Sequence, residues 1–138
     1  MNNMKKITVP AKTDELDRVL DFVNETLEGA DCSMRIQTQI DIAVEEIFVN
    51  IANYAYNPEI GKAEIVVEIS EQPVTVAITF EDSGVPYNPL EKKDPDVTLN
   101  AEERDIGGLG IFMAKKSMDD IEYTYRDGKN ILTIKKAL

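Results

Sequence analysis

The sequence contains no histidine and a single cysteine, Cys32, in 138 residues. Without histidine there is no Ser-His-Asp or Cys-His nucleophile system, no histidine-containing zinc site and no His-Glu-x-x-His hydrolase. A general base, if one is needed, must be a carboxylate or a lysine. One cysteine cannot close an internal disulfide, so nothing points to an oxidising compartment, and Cys32 reads as a structural thiol. The basic start Met1-Asn2-Asn3-Met4-Lys5-Lys6 is not followed by an apolar run fit for a signal peptide or a membrane span. A cytoplasmic protein without membrane contact is the expectation. No Gly-x-x-x-x-Gly-Lys-Ser/Thr loop occurs, and Gly108-Leu109-Gly110-Ile111-Phe112-Met113 breaks the dinucleotide fingerprint at its third glycine. Basic residues are outnumbered, 15 to 26, for a net charge of −11. That balance disfavours direct nucleic-acid binding and suits a basic protein partner.

What is present describes a folded domain. Hydrophobic residues make up 43% and charged residues 30% of the chain, and the length suits one domain over residues 1–138 with a single core. Ile7-Thr8-Val9 before Pro10 reads as a short edge strand. Thr13 is a candidate N-cap for a helix in which Leu16, Val19, Leu20, Val23 and Leu27 recur at helical spacing up to Gly29. Ser33 is a candidate cap for a longer helix, with Ile36, Ile40, Ala43, Ile47, Ile51 and Ala55 as its buried stripe and Asn57-Pro58 as its stop. Alternation in 64–70 and 74–80 about Glu71-Gln72-Pro73 predicts an antiparallel hairpin with one apolar face. Asp127-Gly128 predicts a second hairpin, whose register sets Tyr123 opposite Leu132 and Ile121 opposite Ile134.

Four features carry chemistry. Glu46 and Asn50, four residues apart, share one side of the long helix, and Asn53 extends the line a turn later. Beside an apolar stripe a carboxylate can orient water and an amide oxygen can help hold Mg²⁺; the plain alternative is a solvated polar face. Asp82-Ser83-Gly84 ends a strand, where an acid can accept a hydrogen bond from an adenine amino group and a glycine lets the base approach; a bare Asp-x-Gly is also an ordinary turn. Residues 89–105 carry many charges and no periodicity, which suggests a mobile lid with a helical turn at 98–103. Gly107-Gly108-Leu109-Gly110 runs into Ile111-Phe112-Met113-Ala114-Lys115-Lys116. Amides free at the start of a helix bind phosphate, or the glycines simply permit close packing.

In this order the features resemble the GHKL ATP-binding fold of gyrase, Hsp90, histidine-kinase catalytic domains and MutL. Within it, Asp82-Ser83-Gly84-Val85-Pro86-Tyr87-Asn88-Pro89 and the run from Gly107 to Met113 are similar to the forms found in the anti-sigma-factor serine kinases of bacterial partner-switching systems. The likeness covers nearly the whole chain. It implies an α/β (α+β) two-layer sandwich of the histidine-kinase-like ATPase kind, with three helices on one face of a mixed, mainly antiparallel sheet.

It also implies ATP and Mg²⁺ as cofactors. Asn50 would ligate the metal, Asp82 would bind adenine, Gly84 would admit the base, and Gly107, Gly108, Leu109 and Gly110 would line the phosphates. Glu46 would be the general base, Asn53 would stand near the nucleotide, and Arg104 would lie near the terminal phosphate. These kinases often have histidine where this chain has Asn53, before Ala55-Tyr56. The implied activity is ATP-dependent phosphorylation of a serine or threonine on an antagonist of the sulfate-transporter-and-anti-sigma-antagonist (STAS) type. A sigma factor as second partner and a homodimer are further readings. An ATP-gated binding module without phosphotransfer is the alternative, and an acidic adaptor that binds no nucleotide is a weaker one.

Overall fold

The computed structural model describes residues 3–30, 32–55, 61–71, 74–88, 90 and 109–138. In chain order the elements are β1 (Asn3–Pro10), a 3₁₀ turn (Thr13–Glu15), α1 (Leu16–Glu28), α2 (Met34–Tyr54), β2 (Lys62–Ser70), β3 (Thr75–Asp82), α3 (Leu109–Ser117), β4 (Asp120–Arg126) and β5 (Lys129–Ala137). The strands form one sheet in the order β1-β2-β3-β5-β4.

All four described pairings are antiparallel, so the expected parallel component is not seen among the described residues. Connectivity accounts for this. Two helices separate β1 from β2, and the three reversals they entail, an odd number, bring the chain back antiparallel to its neighbour. Strands β3 and β4 point the same way, since each is antiparallel to β5, which folds back from β4 and takes the place between them.

Alternation in the sequence maps onto the two faces of the sheet. On the helix side lie Ala63, Ile65, Val67 and Ile69 of β2, Val76, Ile78 and Phe80 of β3, and Leu132 and Ile134 of β5, all buried. They meet Val19, Val23 and Leu27 of α1, Ile40, Ala43, Val44, Ile47 and Phe48 of α2, and Ile111 and Ala114 of α3. The opposite face is polar, with Thr79 and Thr133 bonded across β3 and β5 at 3.1 Å between hydroxyls.

Helix α2 starts where the sequence places it: Ser33 has extended backbone and its hydroxyl accepts the Ile36 N–H at 3.2 Å. The Thr13 cap is not found. Thr13 opens the 3₁₀ turn, α1 begins three residues later at Leu16, and its N-cap, Glu15, makes no side-chain cap bond. The last hairpin has the expected register, Tyr123 with Leu132 and Ile121 with Ile134. Its turn holds Asp127 at φ 55° and Gly128 at φ 78°. Left-handed backbone at both positions is what joins two strands of native twist through two residues.

Candidate functional site

The site lies where the C-terminal end of α2 meets the ends of β3 and β5. Asp82 is the last residue of β3 and continues the inward series Val76, Ile78, Phe80. It is therefore a carboxylate on the core side of the sheet, 6% exposed. Asn50 reaches the same level from α2, also 6% exposed. Both border a cavity of ≈ 30 Å³ lined also by the apolar Ile47, Phe80 and Leu132 and by Tyr87 and Tyr123. That volume has room for about two water molecules.

The loop after β3 locks the helix to the strand. The Val85 N–H donates to the Ala55 carbonyl at 2.9 Å, capping the end of α2. A Cβ on Gly84 would stand 2.2 Å from that same carbonyl oxygen. Glycine is required at position 84 by this contact, a packing reason distinct from the approach of a base. The Gly84 N–H in turn donates to Asp82 Oδ1 at 2.9 Å. Asn130, the partner of Asp82 across β3 and β5, is 5% exposed. Its amide nitrogen donates to Asp82 Oδ1 at 2.9 Å and to the Val85 carbonyl at 2.9 Å. Its amide oxygen accepts the Tyr87 N–H at 3.1 Å and the Tyr123 hydroxyl.

Asn50 is the contrasting member. Its Nδ2 is buried and has no hydrogen-bond partner among the described residues, a state that buried amides rarely keep without a ligand or water. The two ends of a carboxamide exchange by a half-turn, so the same point can present Oδ1 as a metal or hydroxyl ligand. Among the described residues no cluster of three or more acidic or sulfur ligands could hold a metal. That is compatible with Mg²⁺, which commonly takes one or two protein oxygens and completes its shell with phosphate and water. The residues present thus fit a metal-nucleotide at Asn50 and Asp82.

The other expected site residues are placed as follows. Glu46 is half-buried one turn before Asn50, and Asn53 is exposed; neither borders the cavity. Leu109 and Gly110 form the first turn of α3, so the glycine run does lead into a helix, with Lys115 and Lys116 in its last turn. Arg104, Gly107, Gly108 and nearly all of the expected lid, including its helical turn at 98–103, lie outside the described residues. Sequence reasoning missed Asn130, Tyr87 and Tyr123. The signal for Asn130 was available: the Asp127-Gly128 turn and the alternation Asn130, Leu132, Ile134 put it on the apolar face.

Comparison with known proteins agrees with this fold. The family model described as histidine kinase-like ATPase domain matches residues 9–136. Among curated proteins, the serine-protein kinase RsbW of Bacillus thuringiensis (strain Al Hakam) is 27% identical over 96 residues, 68% of this chain. That of Bacillus cereus (strain ATCC 10987 / NRS 248) has the same identity over the same length. The match spans 60% of these relatives' length. Among solved structures, the RsbU and RsbW domains of Rv1364c from Mycobacterium tuberculosis superpose with a TM-score of 0.67 over 99% of this chain and 32% of that one, at 17% identity. The histidine kinase domain of the blue-light activated histidine kinase EL346 from Erythrobacter litoralis gives 0.55 over 94% and 62%, at 16% identity. At such identity the structures speak for the fold alone, which is the helix-covered antiparallel sheet described above. With the family model spanning almost the full sequence, the chain belongs to the histidine kinase-like ATPase domain family.

Proposed function

We propose that the protein is an ATP-dependent serine/threonine protein kinase of a cytoplasmic partner-switching system, acting as a single domain. Its substrate on this reading is a STAS-type antagonist, and a sigma factor is the partner it sequesters. The observation that carries the proposal is the pairing, at one cavity, of a buried carboxylate with a buried amide that lacks a partner, Asp82 with Asn50. Family membership and the kinase relatives support the phosphotransfer part.

On this reading Asp82 accepts a hydrogen bond from the adenine amino group, and Asn50 offers its amide oxygen to Mg²⁺. Leu109, Gly110 and the preceding Gly107 and Gly108 hold phosphate at the start of α3, where free N–H groups and the helix dipole favour anions. Asn53 and Arg104 would assist nucleotide binding, as the resemblance implies. Bound Mg²⁺·ATP would supply the transferable phosphoryl group and neutralise its charge. Glu46, in a chain without histidine, takes the proton from the partner's hydroxyl.

The test is transfer of labelled γ-phosphate to the native partner. Glu46→Gln keeps shape and loses the base, so it should bind ATP and partner while transferring about 10²- to 10⁴-fold more slowly. Transfer at the wild-type rate would remove Glu46 from the role. Wild-type protein that binds both ligands and leaves the partner unphosphorylated would be an ATP-gated binding module instead.

A further inference from the structure

Asn130 stands out because every hydrogen-bonding position of its side chain is used, and used in a way that admits one orientation. Its nitrogen faces two obligate acceptors, the Asp82 carboxylate and the Val85 carbonyl. Its oxygen faces an obligate donor, the Tyr87 backbone N–H, together with the Tyr123 hydroxyl. Turning the amide over would set like against like at three of these four contacts, so the donor and acceptor ends are fixed by the surroundings. The side chain is 5% exposed. Leaving any of these groups unpaired in that environment would be costly.

The contacts join four separate parts of the chain: the end of β3, the loop through Val85 and Tyr87, strand β5, and Tyr123 on β4. Tyr123 comes within reach because the two-residue turn sets Tyr125 opposite Asn130 and Tyr123 opposite Leu132, one diagonal step away. A slip of one residue in that hairpin would turn Asn130 outward and Ile131 inward.

The consequence falls on Asp82. Its Oδ1 accepts two N–H groups, from Gly84 and from Asn130. Oδ2 is the oxygen left to meet a ligand, and with Oδ1 held from two directions the carboxylate cannot swing about its last torsion. We infer that Asn130 is a positioning residue that sets base selectivity: by pinning Oδ1 it aims Oδ2 as a fixed acceptor, which favours a purine with an amino group at position 6 over one with a carbonyl there. The inference deepens the nucleotide reading above and rests on it. An acceptor aimed at a carbonyl leaves both unpaired, and sites built to bond one group discriminate strongly against the analogue lacking it.

The experiment compares binding of ATP and of ITP, the same triphosphate on a 6-oxo base, to the full chain with Mg²⁺ by calorimetry. Two variants of equal shape are measured alongside: Asn130→Thr, which keeps one hydroxyl donor for Asp82, and Asn130→Val, which keeps none. Wild type should prefer ATP by about tenfold or more, and Asn130→Thr should retain most of that preference. In Asn130→Val, ATP affinity should fall to within about threefold of ITP affinity while ITP binding barely changes. An equal weakening of both nucleotides, or an undiminished preference for ATP, would overturn the inference and leave the nucleotide reading standing. Wild type that binds neither nucleotide would defeat both. Should Asn130→Val not melt cooperatively, the wild-type protein decides: the Asn130 side-chain NH₂ protons should exchange slowly with solvent before nucleotide is added, and rapid exchange would overturn the inference.

Discussion

Asp82 and Asp41 are both carboxylates drawn out of water, and they are held in opposite ways. Asp82 sits at the end of a strand with two N–H donors on one oxygen, from Gly84 and Asn130. Asp41, on α2, faces α1, where a hydrogen bond from Asn24 is its support. Its Oδ1 and the Oδ1 of Asn24 are both buried without partners among the described residues. Burial pushes the Asp41 pKa up, the Asn24 hydrogen bond pulls against it, and the charge of Glu45 adds to the rise. Cys32 close by is pushed up as well, by burial first and by Asp41 second. Two donors on one oxygen make a buried acid a fixed acceptor whose other oxygen a ligand can use. Partial pairing makes it a cost to the fold, and one that depends on pH.

The largest expected effect tests the paired end. Gly84→Ala would push a Cβ to 2.2 Å from the Ala55 carbonyl, and backbone atoms on both sides have little room to yield. The loop must then leave α2, breaking the Val85 to Ala55 bond and disturbing the donor to Asp82. We expect a loss of about 3 kcal/mol in a denaturant melt. A loss below about 0.5 kcal/mol would mean that the helix end and the loop are not joined as described.

Next comes the unpaired acid. Asp41→Asn supplies an N–H for the orphaned Asn24 oxygen and removes a partly desolvated charge, so the variant should gain about 0.5–1 kcal/mol at neutral pH. The sign with pH follows from the raised pKa. The folded state holds the Asp41 proton more tightly than the unfolded state, so this contribution is fully present below the ordinary carboxylate range of the unfolded chain. It is lost as pH rises through the higher folded value. The advantage of Asp41→Asn should therefore be largest at neutral pH and shrink on acidification, and a pH series of melting curves reads it. An advantage that grows toward acid would contradict the raised pKa.

Smallest should be the effect at the far end of the sheet, where the polar contacts are more open. Lys136 meets Asp119 at 3.5 Å, and the Asp119 side chain is 53% exposed. Such pairs contribute about 0–1 kcal/mol and weaken with salt. Lys136 also donates to the Ser117 carbonyl at 2.8 Å, which puts Lys136→Ala at about 0.5 kcal/mol rather than zero. A loss above about 2 kcal/mol would show that this end holds the fold as firmly as the Asp82 end.

Much of this was legible in the sequence, and the boundary is physical. Alternation placed Ile65, Val67, Ile69, Val76, Ile78 and Phe80 on one face, and carrying it two residues further puts Asp82 there too. The Asp127-Gly128 turn fixed the β4–β5 register from local chemistry alone. The Asp82–Asn130 contact was not legible, because it comes from the pairing of β3 with β5, 48 residues apart. Nothing local says that β5 inserts between β3 and β4. The Asn24–Asp41 contact was hidden for a similar reason: each residue reads as a polar position at the border of an amphipathic helix, and only the packing of α1 on α2 brings them together. Thr13 had the chemistry of a cap, but its turn tightened to 3₁₀ and the α-helix began beyond it.

The claim on which the account turns is that Asp82 and Asn50 mark a purine-nucleotide site, and calorimetry of ATP with Mg²⁺ on wild type and Asp82→Asn tests it most directly. The account predicts a binding heat for wild type and, with nucleotide at about a hundred times its dissociation constant, roughly 2.7 kcal/mol of added stability. For Asp82→Asn, it predicts affinity lower by about tenfold or more in a protein that still melts cooperatively. No heat and an unchanged melting curve for wild type, or equal affinity in the two proteins, would contradict it.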